Sequence, residues 1–120
     1  MIKLKNKYQS NGSYKKYYPL ENFTDTHIHT SPDIKPRSQS DIEAVLSAKK
    51  EKMHSIVLKS HIETTSSRAI IASEITGFPV YGGVVLNNSV GGLNPGVVKV
   101  SAEIGGKCRW YPTIGYPTVG

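Results

Sequence analysis

The fold is decided by the stretch Asn22–His61, which reads NFTDTHIHTSPDIKPRSQSDIEAVLSAKKEKMHSIVLKSH. Residues 22 to 30 have the β-branched and aromatic composition of a buried strand, and residues 54 to 61 form an apolar run typical of strands covered on both faces. Between them lie a loop with two prolines and a helix that begins at Ser40, where Ser40 and Glu43 have the spacing of a capping box. The stretch therefore predicts a strand, a helix and a second strand.

The same alternation continues along the chain. The first helix has an apolar stripe of Ile42, Val45, Leu46 and Met53. The second is predicted by a cap at Thr64–Ser66, the apolar positions Ile70, Ile71 and Ile75, and a terminating Gly77. A third strand at 78–86, a third helix from Asn94-Pro95 to about Ile104 and a fourth strand at 108–114 follow. The order β-α-β-α-β-α-β predicts an α/β fold of parallel βα units. We expect about four strands of a TIM-like barrel, a half-barrel. A flavodoxin-like open sheet is the alternative, but it would place a phosphate-binding turn after the first strand.

Four strands leave two sheet edges to be covered. An eight-stranded barrel needs about 250 residues, and this chain has 120. We therefore expect residues 21–120 to be the amino-terminal half of a barrel domain. It is either a fragment or a chain that forms a homo-oligomer to cover its edges.

Charge is concentrated at the amino terminus. Residues 1 to 17 contain five lysines and no acid, and the remaining ten basic residues face nine acidic ones. This distribution predicts a basic, flexible tail over residues 1–20 and argues against a nucleic-acid partner. A single cysteine, Cys108, and the absence of an apolar leader or span favour a cytoplasmic protein without a membrane partner.

Histidines follow the first two strands. His27 and His29 are two residues apart, so in a strand they lie on the same face, and paired imidazoles suit zinc, with manganese or iron as alternatives. The other interpretation is that they only form hydrogen bonds near a strand end. Lys59 and His61 have the same spacing after strand two, where parallel folds place their active sites. Three histidines would make a catalytic zinc arrangement, although a lone histidine such as His61 is often only a polar cap.

Further candidates surround these histidines. Asp33 is a candidate ligand or base and Arg37 an oxyanion clamp, with a loop salt bridge as the alternative. Lys59 is either a carbamylated metal bridge, a binder of substrate carboxylate, or a lysine whose amine reaches solvent. We assign Asp33 and Lys59 to catalysis. Candidate substrate contacts are Arg37, Arg68 at the start of helix two, and Asn87 after strand three, while Asp25 either orients a histidine or caps the backbone.

The segment Asp25–His29 resembles the opening signature of the amidohydrolase superfamily and of the related polymerase-and-histidinol-phosphatase (PHP) group. The segments 57–61, 82–87, 90–95 and 110–113 resemble an amidohydrolase-like family, and the resemblance spans about residues 22 to 114. It implies a metal-dependent hydrolase on a βα barrel, with His27 and His29 as the first ligand pair. It also implies a strand-two histidine at His61 and a loop acid near Asp33.

We therefore expect a hydrolase that uses a metal-activated water on a small amide, cyclic amide or ester, incomplete as this chain. A PHP-like phosphoesterase is the enzymatic alternative. A truncated half-barrel without catalysis is the third.

Overall fold

The computed structural model describes residues 9–10, 13–14 and 17–114. These residues form a mixed α/β structure with three helices and with parallel strands in small sheets. The elements are β1 (Gln9–Ser10), β2 (Ser13–Tyr14), β3 (Thr24–Ile28), α1 (Asp41–Lys50), β4 (Ser55–Leu58), α2 (Ser66–Thr76), β5 (Val80–Tyr81), β6 (Gly83–Val85), a short 3₁₀ turn (Asn88–Val90), α3 (Pro95–Ile104) and β7 (Cys108–Trp110). Apart from the antiparallel pair β1 and β2, the order alternates strand and helix as predicted.

The parallel strands are paired in chain order. β4 lies between β3 and β5 in a three-stranded sheet, and β6 pairs with β7 in a two-stranded one. Only Gly82 separates β5 from β6. A side chain at Gly82 would overlap the backbone carbonyl of Thr65, so the close approach of α2 to this strand requires glycine. The predicted third strand at 78–86 is therefore present but broken, and the fourth ends at Trp110 instead of continuing to 114.

The helix boundaries follow local capping chemistry. Ser40 and Glu43 form the predicted capping box, with the Ser40 hydroxyl accepting from the Glu43 amide at 3.1 Å. Asn94 caps α3 ahead of Pro95, and Gly77 and Gly105 end α2 and α3 in the left-handed conformation. These predictions are confirmed.

Thr65 occupies the predicted cap position of α2, but its side chain does not cap the helix. The hydroxyl donates instead to the carbonyl oxygens of Leu58, at 2.7 Å, and Gly83, at 3.2 Å. It thereby joins β4 to β6 through a buried residue.

The core lies between α1, α2 and the first sheet. β4 is buried along its whole length, as predicted. The buried cluster consists of Val45, Ala48, Ile56, Leu58, Ala69, Ala72, Phe78 and Val80. Small residues of α1 and α2 face the sheet, which lets the helices approach it closely.

Two predictions about apolar faces are wrong. Of the stripe predicted for α1, Val45 is buried and Ile42 and Met53 pack against the core, whereas Leu46 is exposed. Ile70, Ile71 and Ile75 of α2 are exposed, because that helix buries alanine, serine and threonine positions in their place. β3 has four exposed residues, Thr24 to His27, and among the described residues it pairs with β4 alone, so it is an edge strand instead of a buried one.

The predicted basic tail falls mostly on residues outside the described ranges. None of the helices among the described residues is long and apolar enough to cross a membrane.

Candidate metal centre

His27 and His29 meet at the carboxyl end of β3. His27 lies within the strand and His29 follows it, and their Nε2 atoms are 3.1 Å apart. The two rings meet edge to face, with centroids 5.0 Å apart. The alternation of strand side chains brings both imidazoles to one face, as the sequence predicts.

His61, three residues beyond β4, stacks on His29. Their ring centroids are 4.5 Å apart and the planes are inclined by 20°. The Nδ1 atom of His61 lies 2.9 Å from the Thr113 hydroxyl, which holds the ring against the segment after β7. The structure therefore brings all three predicted histidines together, with His61 packed against the pair.

Burial keeps two of these imidazoles neutral. Burial lowers the pKa of His29, and the nearby His61, Arg37 and His27 lower it further; the carbonyl of Lys59 partly opposes them without reaching hydrogen-bond geometry. Burial and the charge of Lys59 likewise lower the pKa of His61. Neutral imidazole is the form that binds a metal.

The His29 ring carries an unsatisfied atom. Its Nδ1 is buried and has no hydrogen-bond partner among the described residues. An orphaned buried polar atom is rare in folded proteins and marks a place where a missing partner belongs.

The two Nε2 atoms are within hydrogen-bond distance of each other, so the alternative interpretation, a hydrogen bond near the strand end, also describes this pair. Their spacing is close to that of two ligands of one metal ion as well. Two nitrogens each about 2.05 Å from zinc at the tetrahedral angle are about 3.4 Å apart, close to the 3.1 Å between His27 and His29. However, no group of three or more His, Cys, Asp or Glu side chains among the described residues is arranged to hold a metal. The described part of the chain thus holds two neighbouring imidazoles and no arranged third ligand.

Lys59 follows β4 directly and is 6% exposed. Its Nζ lies 5.0 Å from the centre of the Trp110 ring, at the end of β7. Burial lowers the pKa of this lysine. Its stem is thus covered, in part by the aromatic face, while Nζ itself is not fully buried.

Asp33 and Arg37 form the salt bridge that was the alternative to their catalytic roles. Arg37 Nε donates to Asp33 Oδ2 at 2.7 Å, and the Asp33 side chain is 4% exposed. Burial opposes ionisation of Asp33, but the hydrogen bonds from Arg37 and the Ile34 amide together lower the pKa of this carboxyl. Both charges are close enough to act on His61.

Asn87, a predicted substrate contact, forms its hydrogen bonds with other parts of the protein. It is 2% exposed, and its Nδ2 donates to the His61 carbonyl at 3.0 Å and to the Thr113 hydroxyl at 3.1 Å. Its Oδ1 accepts from the amides of Thr113 and Ile114 at 2.7 and 3.0 Å. The amide is fully used in joining the ends of three strands, so no donor or acceptor is left for a substrate.

Arg68 is also engaged by the protein itself. Its guanidinium forms a two-pronged pair with Asp41, both contacts at 2.9 Å, and a third contact with Glu63 at 3.1 Å. Asp41 in turn accepts from the Thr30 hydroxyl. These contacts tie α1 and α2 to the segment after β3, whereas a substrate contact was predicted.

Asp25 caps the backbone, the second of its predicted roles. Its Oδ1 accepts from the His27 amide at 3.0 Å. Trp110 and Thr113 were not predicted as site residues, and both contact predicted ones. Trp110 is the last residue of β7 and Thr113 follows three residues later. The predicted strand at 108–114 extended past both of them, so nothing in the sequence signalled that they lie at the end of a strand.

Two cavities lined by described residues differ in size and in their distance from the histidines. One of about 140 Å³ lies beside His61 and Asn87. A larger one of about 390 Å³ lies away from the histidines, between α3 and β7, and is lined mainly by apolar side chains. The size of a cavity therefore does not select the candidate site.

Comparison with known proteins gives a family and no more. A family model described as a family of unknown function (DUF6282) matches residues 22–117. No curated protein and no solved structure matches the chain.

Proposed function

The chain belongs to the DUF6282 family, whose function is unknown, and for this member we propose a metal-dependent hydrolase of the amidohydrolase type. Its substrate would be a small amide, cyclic amide or ester. The observation that carries the proposal is the 3.1 Å approach of the Nε2 atoms of His27 and His29 at the carboxyl end of a parallel strand.

The proposed fold is the amino-terminal half of a βα barrel. In a barrel each parallel strand pairs with the next one in the chain, whereas a doubly wound sheet reverses its order at a switch point. Here β3, β4 and β5 pair in chain order, and so do β6 and β7. This order favours the barrel, and the carboxyl ends of its strands would be the catalytic face.

The residues that would hold the metal are His27 and His29. When bound, a divalent cation such as zinc, manganese or iron supplies a Lewis acid and lowers the pKa of water. His61 stacks on His29, and its Nδ1 is engaged by the Thr113 hydroxyl, which leaves Nε2 as the nitrogen that could bind a metal. Because no third ligand is arranged among the described residues, the remaining positions would have to come from water, substrate or residues outside that set.

Asp33 is the candidate base of the reaction. Its carboxylate is ionised near neutral pH, but the lowered pKa makes it a weak proton acceptor while Arg37 is bonded to it, so it could act as a base only once that contact is released. Arg37 holds this carboxylate in place at 2.7 Å. We propose Arg37 as a positioning residue and Lys59 as the group that faces substrate.

A specific observation also favours the phosphoesterase alternative. Lys59, Arg37 and Lys35 all act on His61 as positive charges, against the single carboxylate of Asp33. A surplus of positive charge suits an anionic substrate such as a phosphomonoester. The two hydrolases share the metal pair and differ in the bond that is cleaved.

Activity measurements would test the proposal. Purified protein, freed of metal and reloaded with zinc, manganese or iron, is assayed against small amides, lactams, esters and phosphomonoesters. We expect metal-dependent turnover that is lost in His27→Ala/His29→Ala and kept in His54→Ala. His54 is a suitable control because it lies at the opposite end of β4, beside Thr24 and Ser55. Activity that survives loss of both His27 and His29 would contradict the proposal, and metal binding without turnover of any substrate would favour the non-catalytic half-barrel.

A further inference from the structure

Lys59 has a mostly buried side chain, and its ammonium group has no acidic partner among the described residues. The ion pairs among the described residues are Arg37 with Asp33 and Arg68 with Asp41 and Glu63, so none of them involves Lys59. Its one described side-chain partner is the face of Trp110. The stem is covered, but Nζ itself is not fully buried, so a ligand can reach it.

Lys59 points to the same edge as the histidines. Lys59 follows the last residue of β4, and Trp110 is the last residue of β7. The positive charge of Lys59 is close enough to lower the pKa of His61. Two further cations, Arg37 and Lys35, act at this edge, and the one carboxylate there is already bonded to Arg37. The edge therefore carries net positive charge around an accessible ammonium group that has no carboxylate partner among the described residues.

We propose that Lys59 binds an oxyanion of the ligand, a carboxylate or a phosphate oxygen, beside the His27 and His29 pair. The anion would pair with the ammonium group beside the Trp110 ring. That this ligand is a substrate rests on the proposed function, but the binding itself does not require a metal. The oxyanion would also set the orientation of the bond to be cleaved.

The chain contains its own reporter for this binding. Trp110 is the only tryptophan of the 120 residues, and the Lys59 ammonium lies 5.0 Å from its ring. Metal-free protein is titrated at constant ionic strength with acetate, acetamide and inorganic phosphate while tryptophan fluorescence is recorded. We expect saturable changes with acetate or phosphate and none with the neutral acetamide. An equal response to acetamide, or no saturation with either anion, would overturn the proposal without the need for any variant.

Two lysine variants make the test specific. Lys59→Met keeps the length of the side chain and removes the charge, and we expect it to weaken anion binding by about tenfold or more. Lys107→Met, an exposed position before the amino end of β7, should bind as the wild type does. Unchanged affinity in a folded Lys59→Met protein would overturn the proposal.

The ratio of the affinities for phosphate and acetate distinguishes the two classes of ligand that could supply the oxyanion. Tighter binding of phosphate favours a phosphoester, and tighter binding of acetate favours an acidic amide or ester. Anion binding that persists in His27→Ala/His29→Ala separates this inference from the metal hypothesis, because either can fail while the other holds.

Discussion

Replacing Asn87 with alanine should destabilise the protein by about 2 to 4 kcal/mol. The side chain makes four hydrogen bonds, two as donor and two as acceptor. A typical net contribution is about 0.5–1.5 kcal/mol for each bond. Asn87 is buried whereas Thr113 and Ile114 are exposed, so water replaces part of the loss on their side and the total stays below the upper limit.

The measurement is urea unfolding followed by far-ultraviolet circular dichroism and Trp110 fluorescence. Asn88→Ala is the matched control, since its neighbouring amide is exposed and should change the free energy of unfolding by less than about 0.5 kcal/mol. Asn87→Asp should lie between the two, because it retains an acceptor for the amides of Thr113 and Ile114 but loses both donations. Amide hydrogen exchange at these two residues should accelerate in Asn87→Ala. The reasoning is refuted if Asn87→Ala loses no more stability than Asn88→Ala.

Three further perturbations test other parts of the structure. Arg68→Met leaves the partly buried Asp41 carboxylate without the arginine that binds both of its oxygens. It should lower the free energy of unfolding by about 3 kcal/mol in urea titrations. A loss below about 1 kcal/mol would show that the pair contributes no more than a surface contact. Burial lowers the pKa of His29 and His61 below 6.5 in the folded state. As the pH falls, these two histidines are therefore protonated in the unfolded chain before they are protonated in the folded one. The stability of metal-free protein should therefore be retained above about pH 6.5 and fall as the pH drops below it, with a flatter profile for the His29→Asn/His61→Asn variant; identical profiles would contradict the burial of these rings. Gly82→Ala places a methyl group against the Thr65 carbonyl and should lower the free energy of unfolding by about 3 kcal/mol in the same urea assay. An unchanged free energy of unfolding would contradict the close approach of the Thr65 carbonyl to Gly82.

The order of the elements could be predicted because their ends carry local signals. The capping box of Ser40 and Glu43 and the Asn94-Pro95 start act within one helical turn, so three-dimensional context is not needed to recognise them. The exposed faces of the helices could not be predicted. A helix that packs closely buries alanine and serine, and a pattern of isoleucines then indicates the wrong face.

The candidate site was predicted in part for the same reason. The faces of His27 and His29 follow from strand alternation, which is a local property. The partners of Asn87 and Arg68 follow from the meeting of segments far apart in the chain, 26 residues for Asn87 with His61 and 27 for Arg68 with Asp41. Residue type alone suggested polar contacts for both, but only the folded structure shows that the protein itself supplies them.

Metal analysis of protein purified without an affinity tag tests the central claim most directly. Elemental mass spectrometry should find close to one equivalent of zinc, manganese or iron per chain, and X-ray absorption at the edge of that metal should show at least two imidazole nitrogens. The metal should be lost in His27→Ala/His29→Ala and retained in His54→Ala. A metal-free wild type that also fails to take up these ions on titration, or a double variant that keeps its metal, would contradict the assignment.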